Sequence, residues 1–150
     1  MNARRQAGGI RNQGGVMLLE ALVAILIFSI GILAVVGMQA TAIKTVTDSR
    51  YRSEASLLAN KLLSQMWTDA ANIGSYAYTG SGTPPARVSP WVTEVATRLP
   101  GATDTPPIVT VTGASAQGAA VRIEVFWQSP EEKAAGVPAR ALTVNASIYI

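Results

Sequence analysis

Apolar residues are concentrated in the first third of the chain, and their spacing changes after it. Between residues 16 and 38, 19 of 23 positions are Ala, Val, Ile, Leu, Met or Phe, and the exceptions are Glu20, Ser29, Gly31 and Gly37. A helix needs about 20 such residues to cross the apolar core of a bilayer. This run therefore predicts a membrane-spanning helix, since the core helix of a small soluble domain rarely needs an apolar stretch of this length.

From Gln39 onward the apolar residues recur at spacings of three to five, which is the pattern of an amphipathic helix. These positions are Ala40, Ile43, Val46, Tyr51, Ala55, Leu58, Leu62 and Met66. Because no proline precedes Pro84, we expect one helix from Val16 to about Asp69, roughly 80 Å long at about 1.5 Å per residue. A coiled coil also produces helices of this length, but the uniform apolarity of 16–38 favours a membrane span with an extension.

The remainder of the chain predicts loops and a small sheet. All eight prolines follow residue 83, and residues 70–107 predict mainly loop with a short helix at Trp91–Leu99. Apolar and polar residues then alternate, as in an antiparallel sheet with one buried face. The predicted strands are Ile108–Thr112, Val121–Gln128 and Leu142–Ile150, with connections at 113–118 and 129–140. We predict an α+β fold in which the long N-terminal helix packs its amphipathic half on this antiparallel sheet.

The composition removes the usual side chains of catalysis and metal binding. The 150 residues include no Cys and no His, so disulfides, thiolate ligands and the commonest proton-transfer side chain are missing. We therefore expect no enzymatic activity, no small-molecule substrate, no cofactor and no metal.

The basic character of the chain lies at its N-terminus. Arg4, Arg5 and Arg11 are three of the twelve basic residues, and the nine that follow are matched by nine acidic residues. A nucleic-acid-binding domain needs a basic face on its folded part. We therefore expect no nucleic-acid partner.

Glu20 places a carboxylate near the start of the apolar run. Such a group costs about 2.5–3.5 kcal/mol at the centre of a span and less near its end. One interpretation is an interfacial acid stabilised by the helix dipole, which contributes about 0.3–1 kcal/mol. A second interpretation depends on the residues before it.

The sequence Gly-Gly-Val-Met-Leu-Leu-Glu at 14–20 follows the short basic leader. It resembles the class III signal of type IV prepilins, in which a glycine precedes the cut and a glutamate follows four residues after the new N-terminus. The resemblance implies that a membrane prepilin peptidase removes residues 1–15 on the cytoplasmic side. The cut would fall between Gly15 and Val16, and N-methylation of Val16 usually follows, although major pilins usually carry phenylalanine at that position.

The same resemblance assigns Glu20 a role in subunit assembly. In this family the glutamate pairs with the N-terminal amine of a neighbouring subunit as the helices bundle. An opposite charge offsets the cost of burying both groups, so Glu20 would set the register between subunits.

Over about residues 14–68 the chain resembles the PilV family of type IV pilus minor pilins. This implies a subunit that initiates assembly with other minor and major pilins and joins the fibre. It would start in the inner membrane, with its N-terminus cytoplasmic and its head periplasmic. The implied organisation is a leader at 1–15, a polymerisation helix at 16–38 and a head at 39–150, the head comprising a helical stem at 39–69, loops at 70–107 and a sheet at 108–150.

Three alternatives remain open. The start of the apolar helix is also close to that of GspI-type minor pseudopilins of type II secretion systems. A bitopic anchor that never polymerises would keep Met1. A secretory signal ending at Ala40-Thr41-Ala42 would leave a domain starting near Ile43, although the apolar run exceeds the 7–15 residues usual in such signals.

The other candidate residues favour structural roles. Gly80-Ser81-Gly82 predicts a turn, and the glycosylation sequon at Asn145 lies in a predicted strand. Trp67, Trp91 and Trp127 are predicted in the core. The acids predicted to form no paired or calcium site are Asp69, Glu94, Asp104, Glu131 and Glu132.

Overall fold

The computed structural model describes residues 14–115 and 117–149. The helices are α1 (Gly14–Thr68), a 3-10 helix (Ala70–Tyr76), α2 (Ser89–Arg98) and α3 (Pro130–Ala134), and the strands are β1 (Ile108–Ser115), β2 (Gly118–Trp127) and β3 (Arg140–Ile148). The chain divides into two compact units, one ending at Thr45 and the other beginning at Val46. The predicted α+β class is confirmed, with a long N-terminal helix and a small antiparallel sheet.

Helix α1 is a single α-helix of 55 residues. It follows the prediction closely because residues 14–68 contain no proline and are rich in Ala, Leu, Ile and Met, which suit a helix interior. Gly31 and Gly37 each cost about 1 kcal/mol relative to alanine, yet both lie inside the continuous helix.

The sheet has the order β1-β2-β3, and both pairs are antiparallel. Val109, Ile123 and Val144 lie opposite one another across the three strands. On β2 every second residue from Ala119 to Trp127 lies on the same face as Ile123 and is buried, and the residues between them are more exposed. The predicted alternation is therefore confirmed, and β2 contributes most of the buried face.

The core of the second unit lies between α1, α2 and the sheet. Its members on α1 are Ala55, Leu58, Ala59, Leu62 and Met66, those on α2 are Trp91 and Val95, and those on the sheet are Val109, Ala119, Val121, Ile123, Val125, Trp127 and Ile148. The apolar stripe of α1 is thus covered only from Tyr51 onward. Ala40, Ile43 and Val46 continue the same periodicity but are exposed.

Two connections are more ordered than predicted. β1 extends to Ser115, and β2 already starts at Gly118. Gly118 has a φ of +130°, which glycine adopts readily because it has no Cβ. The predicted connection 129–140 contains α3, which begins with a capping box. The short helix predicted at Trp91–Leu99 is confirmed within one or two residues as α2.

One of the three tryptophans was assigned wrongly to the core. Trp91 and Trp127 are 3% and 4% exposed, whereas Trp67 is 46% exposed. Trp67 follows Met66, which occupies the buried position of that turn of α1, and adjacent helical residues point in different directions.

Candidate functional site

The start of α1 holds the residues that the sequence singled out. Gly15, Val16 and Glu20 all lie within the first two turns of the helix, which begins at Gly14. Val16 and Glu20 are both exposed, and their spacing of four places them on one face. A cationic group at Val16 would therefore lie one turn from the Glu20 carboxylate. Arg4, Arg5, Arg11 and the other leader residues before Gly14 lie outside the described residues.

Gly15 packs against no other part of the chain among the described residues. A Cβ built at this position would meet no heavy atom within 4 Å, and the residue lies inside a helix rather than in a left-handed conformation. The chain itself would therefore tolerate a larger residue here. Any requirement for glycine at this position would come from outside the chain.

The Glu20 carboxylate has no partner within the described part of the chain. Across 14–115 and 117–149 no salt bridge or hydrogen bond reaches it. The neighbouring Leu19 and Leu22 are 65% and 68% exposed, so the carboxylate sits on an apolar surface. An isolated charge in such surroundings becomes costly once water is removed, and a cation from another molecule would offset that cost.

The first unit exposes its apolar side chains all round. The exposed large residues include Val16, Leu18, Leu22, Ile25, Ile27, Phe28, Ile30, Leu33, Val36 and Met38. α1 is long and apolar enough to cross a membrane, and its most apolar stretch is not buried inside the protein. The buried core helix of a soluble domain therefore does not describe this segment. A single helix of this kind is compatible with a membrane anchor.

Polar groups in this part of the helix are satisfied internally. The hydroxyl of Ser29 donates to the Ile25 carbonyl at 2.7 Å, and that of Thr41 donates to the Gly37 carbonyl at 3.2 Å. Hydroxyls that bond back to the preceding turn need no other partner. Of the polar side chains in 16–38, Glu20 is thus the one without a partner among the described residues.

In the second unit, Arg140 joins α1 to the segment between β2 and β3. One guanidinium nitrogen donates to Asp48 at 2.5 Å, and another donates to Glu132 at 2.9 Å. Glu132 also accepts from the Ser129 backbone N–H at 3.2 Å, and its own N–H donates to the Ser129 hydroxyl at 3.2 Å. The Ser129 backbone bond and then Arg140 hold the pKa of Glu132 below its ordinary value.

This arrangement was missed at the level of sequence, although part of its signal is present. The Ser129-x-x-Glu132 spacing with Pro130 between is a capping-box pattern, and it indicates a helix start where a loop was predicted. The contact with Asp48 spans 92 residues of chain. No local pattern predicts such a distant pairing.

A second polar group fixes the end of α1. The Asp69 carboxylate accepts from the Asn72 amide at 2.7 Å and from the Tyr76 hydroxyl at 3.0 Å, and it also pairs with Arg87. The Asn72 bond contributes most to lowering the pKa of Asp69. Burial, followed by the bond to Asp69, raises the pKa of Tyr76.

A third group joins α1 to α2. Glu94 accepts from Lys61 at 2.5 Å, which lowers its pKa, and Arg98 donates to Glu54 at 2.6 Å. Trp91 donates its indole N–H to the Leu58 carbonyl at 2.8 Å in the buried interface. These contacts hold the second half of α1 against α2.

The remaining candidates form no site within the described residues. No group of three or more acidic side chains could hold a metal ion there, and Asp104 pairs with Lys133 on the surface. Glu132, in the predicted connection 129–140, is 7% exposed and bonded to Arg140. Asn145 lies within β3, as predicted.

Comparison with known proteins identifies no relative. No protein-family model, no curated protein sequence and no solved structure matches the chain.

Proposed function

We propose that the chain is a minor pilin of a type IV pilus, processed by a prepilin peptidase and incorporated by helix bundling. The observation that carries the proposal is the order Gly15, Val16, Glu20 at the start of an exposed apolar helix whose later part packs on an antiparallel sheet. The resemblance to the PilV family over residues 14–68 supports the same assignment.

The proposed location follows from that processing. The chain starts in the inner membrane as a single-pass protein with a cytoplasmic N-terminus and a periplasmic head, and it then enters the fibre with other minor and major pilins. Cleavage gives Val16 a cationic amine, and the unpaired Glu20 of a neighbouring subunit is the acid that it would meet. Its role is structural, since assembly by helix bundling needs no catalytic residue.

The decisive experiment measures the intact mass and N-terminal sequence of the chain from membranes of cells with and without a prepilin peptidase. We expect the chain to start at Val16 only when the peptidase is present, and a methyl group on the new amine adds its own mass. A start at Met1 in both strains would identify a bitopic anchor instead. A start near Ile43 would identify a secreted domain.

A matched pair of glycine variants tests the specificity of the cut. Gly15→Val should abolish cleavage, whereas Gly14→Val should leave most of it. Because a Cβ at Gly15 would meet no other described residue within 4 Å, lost cleavage would report recognition by the peptidase rather than misfolding. Equal cleavage of both variants would contradict the proposal.

The GspI-like alternative is favoured by the similar start of the apolar helix and makes a different prediction. Deletion of a pilus minor pilin should reduce the pili recovered by shearing and leave type II secretion unchanged. Deletion of a minor pseudopilin should do the reverse.

A further inference from the structure

At one end of the second unit, α1 meets the connection between β2 and β3. Asp48, near the start of this unit, accepts from the Arg140 guanidinium at 2.5 Å and from the Trp127 indole at 3.5 Å. Trp127 ends β2 and Arg140 begins β3, so the connection 128–139 starts and finishes beside the first turn of α1 in the unit. We refer to the part marked by Asp48, Trp127 and Arg140 as the entry end, because the chain enters the unit here.

The connection exposes a stretch without polar side chains, residues 134–139. Its sequence is Ala-Ala-Gly-Val-Pro-Ala. All of these residues are exposed except Ala139, which is half-buried, and Val137 is 42% exposed. The connections 77–88 and 99–107 differ, since both carry hydroxyl side chains. The entry end therefore presents small apolar side chains where other connections of the unit present polar ones.

The backbone donors of this stretch are satisfied within the chain. The N–H groups of Ala135, Gly136 and Val137 donate to carbonyls three to five residues earlier, at 3.0, 3.1 and 2.9 Å. Pro138 has no N–H, and the Val137 carbonyl accepts from the Gln128 amide. Backbone groups without a partner are what make an irregular segment costly to remove from water. This stretch can therefore leave water with little loss of hydrogen bonding.

Cations without an ion pair are gathered at the same end. Six basic residues form ion pairs within the chain, namely Lys61, Arg87, Arg98, Arg122, Lys133 and Arg140. Among the described residues, Lys44, Arg50 and Arg52 form none, and all three are exposed. Arg50 and Arg52 lie within four residues of Asp48, and Lys44 precedes the second unit by two residues. The unmatched positive charge of the described chain is thus concentrated around the entry end.

Arg50 and Arg52 lie on different sides of α1. Residues two apart are separated by about 200° around a helix, and long helical side chains lean toward the helix N-terminus, which here is the direction of the entry end. A partner on one face of α1 would reach only one of the two, whereas a surface that surrounds the helix reaches both. Glu131 is an exposed acid in the connection without an ion pair in the described chain, and the three cations outnumber it.

The surface that fits these features is that of an anionic bilayer. Its head groups place phosphates on all sides of a helix, and the layer just below them accepts apolar side chains. The exposed apolar run that is compatible with a membrane anchor ends at Met38, shortly before Val46 along the chain. A bilayer that held this run would therefore have its surface close to the residues that open the second unit.

We infer that the entry end binds the surface of an anionic bilayer. Val137 and its neighbours enter the head-group region, and Lys44, Arg50 and Arg52 bind lipid phosphates. The inference rests on the membrane insertion of residues 16–38 that belongs to the proposed function. It adds to that function a docked position of the second unit, held by lipid of a particular charge.

A fluorescent probe on a single cysteine tests the contact in the full chain, which contains no cysteine of its own. Val137→Cys carries the dye NBD, and the chain is reconstituted into vesicles of equal parts phosphatidylcholine and phosphatidylglycerol. The emission should shift to shorter wavelength and be quenched by lipids with a nitroxide on the head group. Both effects should weaken in phosphatidylcholine alone, since an anionic surface favours docking by about fivefold for each nearby cation.

The matched control for position is Ala86→Cys with the same dye. Ala86 is exposed, and the adjacent Arg87 pairs with Asp69, which follows the last residue of α1. The control therefore lies near the other end of the part of α1 that belongs to the second unit. Its dye should keep the emission of a water-exposed probe in both kinds of vesicle.

A pair of charge variants tests the cations. In the Val137→Cys background, Arg50→Gln with Arg52→Gln should lower the docking equilibrium by about 25-fold, which is about fivefold for each cation. Lys61→Gln with Arg122→Gln removes the same charge from positions that are paired within the chain, and it should leave the quenching unchanged.

Flotation with the vesicles after a carbonate wash separates this inference from the proposed function. A chain that does not float would overturn both, because neither survives without insertion. A chain that floats while the Val137→Cys dye remains in water would overturn the inference alone. Equal quenching of the Val137→Cys and Ala86→Cys chains, or equal quenching in the two kinds of vesicle, would also overturn it. A dye that leaves water in cell membranes but not in vesicles would overturn it in favour of an acidic protein partner.

Discussion

Glu20 and Glu132 are accommodated in opposite ways. Glu132 is nearly buried but accepts hydrogen bonds from the Ser129 N–H and the Arg140 guanidinium, so its charge is compensated within the chain. Glu20 is exposed on an apolar helix and has no partner among the described residues. The first glutamate is paired within the fold of the second unit, whereas the second is left without a partner among the described residues.

Under the proposed function, Glu20→Ala should leave the chain cleaved and membrane-bound but reduce its recovery in sheared pili. The physical reason is loss of the acid that compensates the neighbouring N-terminal amine. Ser29→Ala is the matched control, because its hydroxyl bonds only to the preceding turn and its loss should leave recovery unchanged. Normal recovery of Glu20→Ala would count against the assembly role.

Glu132 predicts a dependence of stability on pH. Its pKa is lower in the folded chain than its ordinary value of 4.5, so the unfolded chain binds more protons as the pH falls. The stabilisation is fully present above the ordinary value and is lost as the pH decreases through the folded pKa. Urea unfolding of the full chain in detergent should show this loss, and Glu132→Gln should flatten the curve below about pH 5. An unchanged slope in the variant would exclude this contribution.

Among the glycines that the structure describes, Gly118 has the tightest surroundings. At φ +130°, a Cβ on this residue would lie 2.1 Å from the Ile148 carbonyl oxygen. Gly118→Ala should therefore disrupt the end of the β2–β3 pair and lower the melting temperature more than Gly113→Ala does. Gly113 also has a positive φ but has open space around it, so equal effects would show that conformation rather than contact dominates.

At the scale of single residues, the sequence predicts which types sit in the core better than which individual side chains do. The alternation on β2 correctly places Ile123 and Trp127. On α1 the assignment of Trp67 to the core fails, because the surface packed against the helix decides which face is buried, and that face holds Met66 instead. The Asp48–Arg140 pair was inaccessible to sequence reasoning, since its specificity arises only after β3 meets the helix.

At the scale of elements, α1 changes surroundings along its length while its backbone remains regular. Leu57 is 57% exposed and Leu58 is 1% exposed, although they are adjacent and chemically identical. The position of a residue on the helix, rather than its type, decides what it contributes.

This pair gives a stability prediction. Leu58→Ala should reduce the free energy of unfolding by about 2–5 kcal/mol, because it leaves a cavity in the core. Leu57→Ala should change it by less than about 0.5 kcal/mol, as is usual for surface positions. Denaturant unfolding of the full chain in detergent measures both. Similar losses in the two variants would mean that the exposed face of α1 is covered.

The boundaries of the helices and strands followed from the sequence where periodicity was sustained. α1 is long and free of proline, and the apolar residues of α2 keep a helical spacing, so the ends of both helices were predicted within a few residues. β1 extends past Thr112 through residues that lack strand periodicity, because β2 provides its hydrogen bonds from across the turn. The 3-10 helix at 70–76 is held by the Asp69 contacts rather than by local propensity.

At the scale of the whole molecule, the two units expose very different surfaces. The unit ending at Thr45 presents apolar side chains, whereas the unit beginning at Val46 buries its apolar residues and pairs most of its charges on the surface. The first is compatible with a bilayer, and the second has the surface of a domain in water.

Membrane retention should therefore depend on charge placed in the apolar run. Ile27→Arg combined with Ile30→Arg should release the chain into the carbonate-soluble fraction, since each arginine near the centre costs about 2.5–3.5 kcal/mol of insertion free energy. Ile43→Arg combined with Val46→Arg has the same spacing on the same helix and should leave the chain in the membrane. Equal retention of both double variants would argue against a span at 16–38.

The hydroxyls of α1 alter where a bilayer would meet water. Because Thr41 and Thr45 donate to the carbonyls of the preceding turn, these donor groups are satisfied internally within α1. A hydropathy scale that counts both threonines as fully polar therefore underestimates how far along α1 the surface is compatible with lipid. The first side chains past Met38 that must reach for water are Gln39 and Lys44, and their long, flexible stems allow the helix to settle at more than one depth.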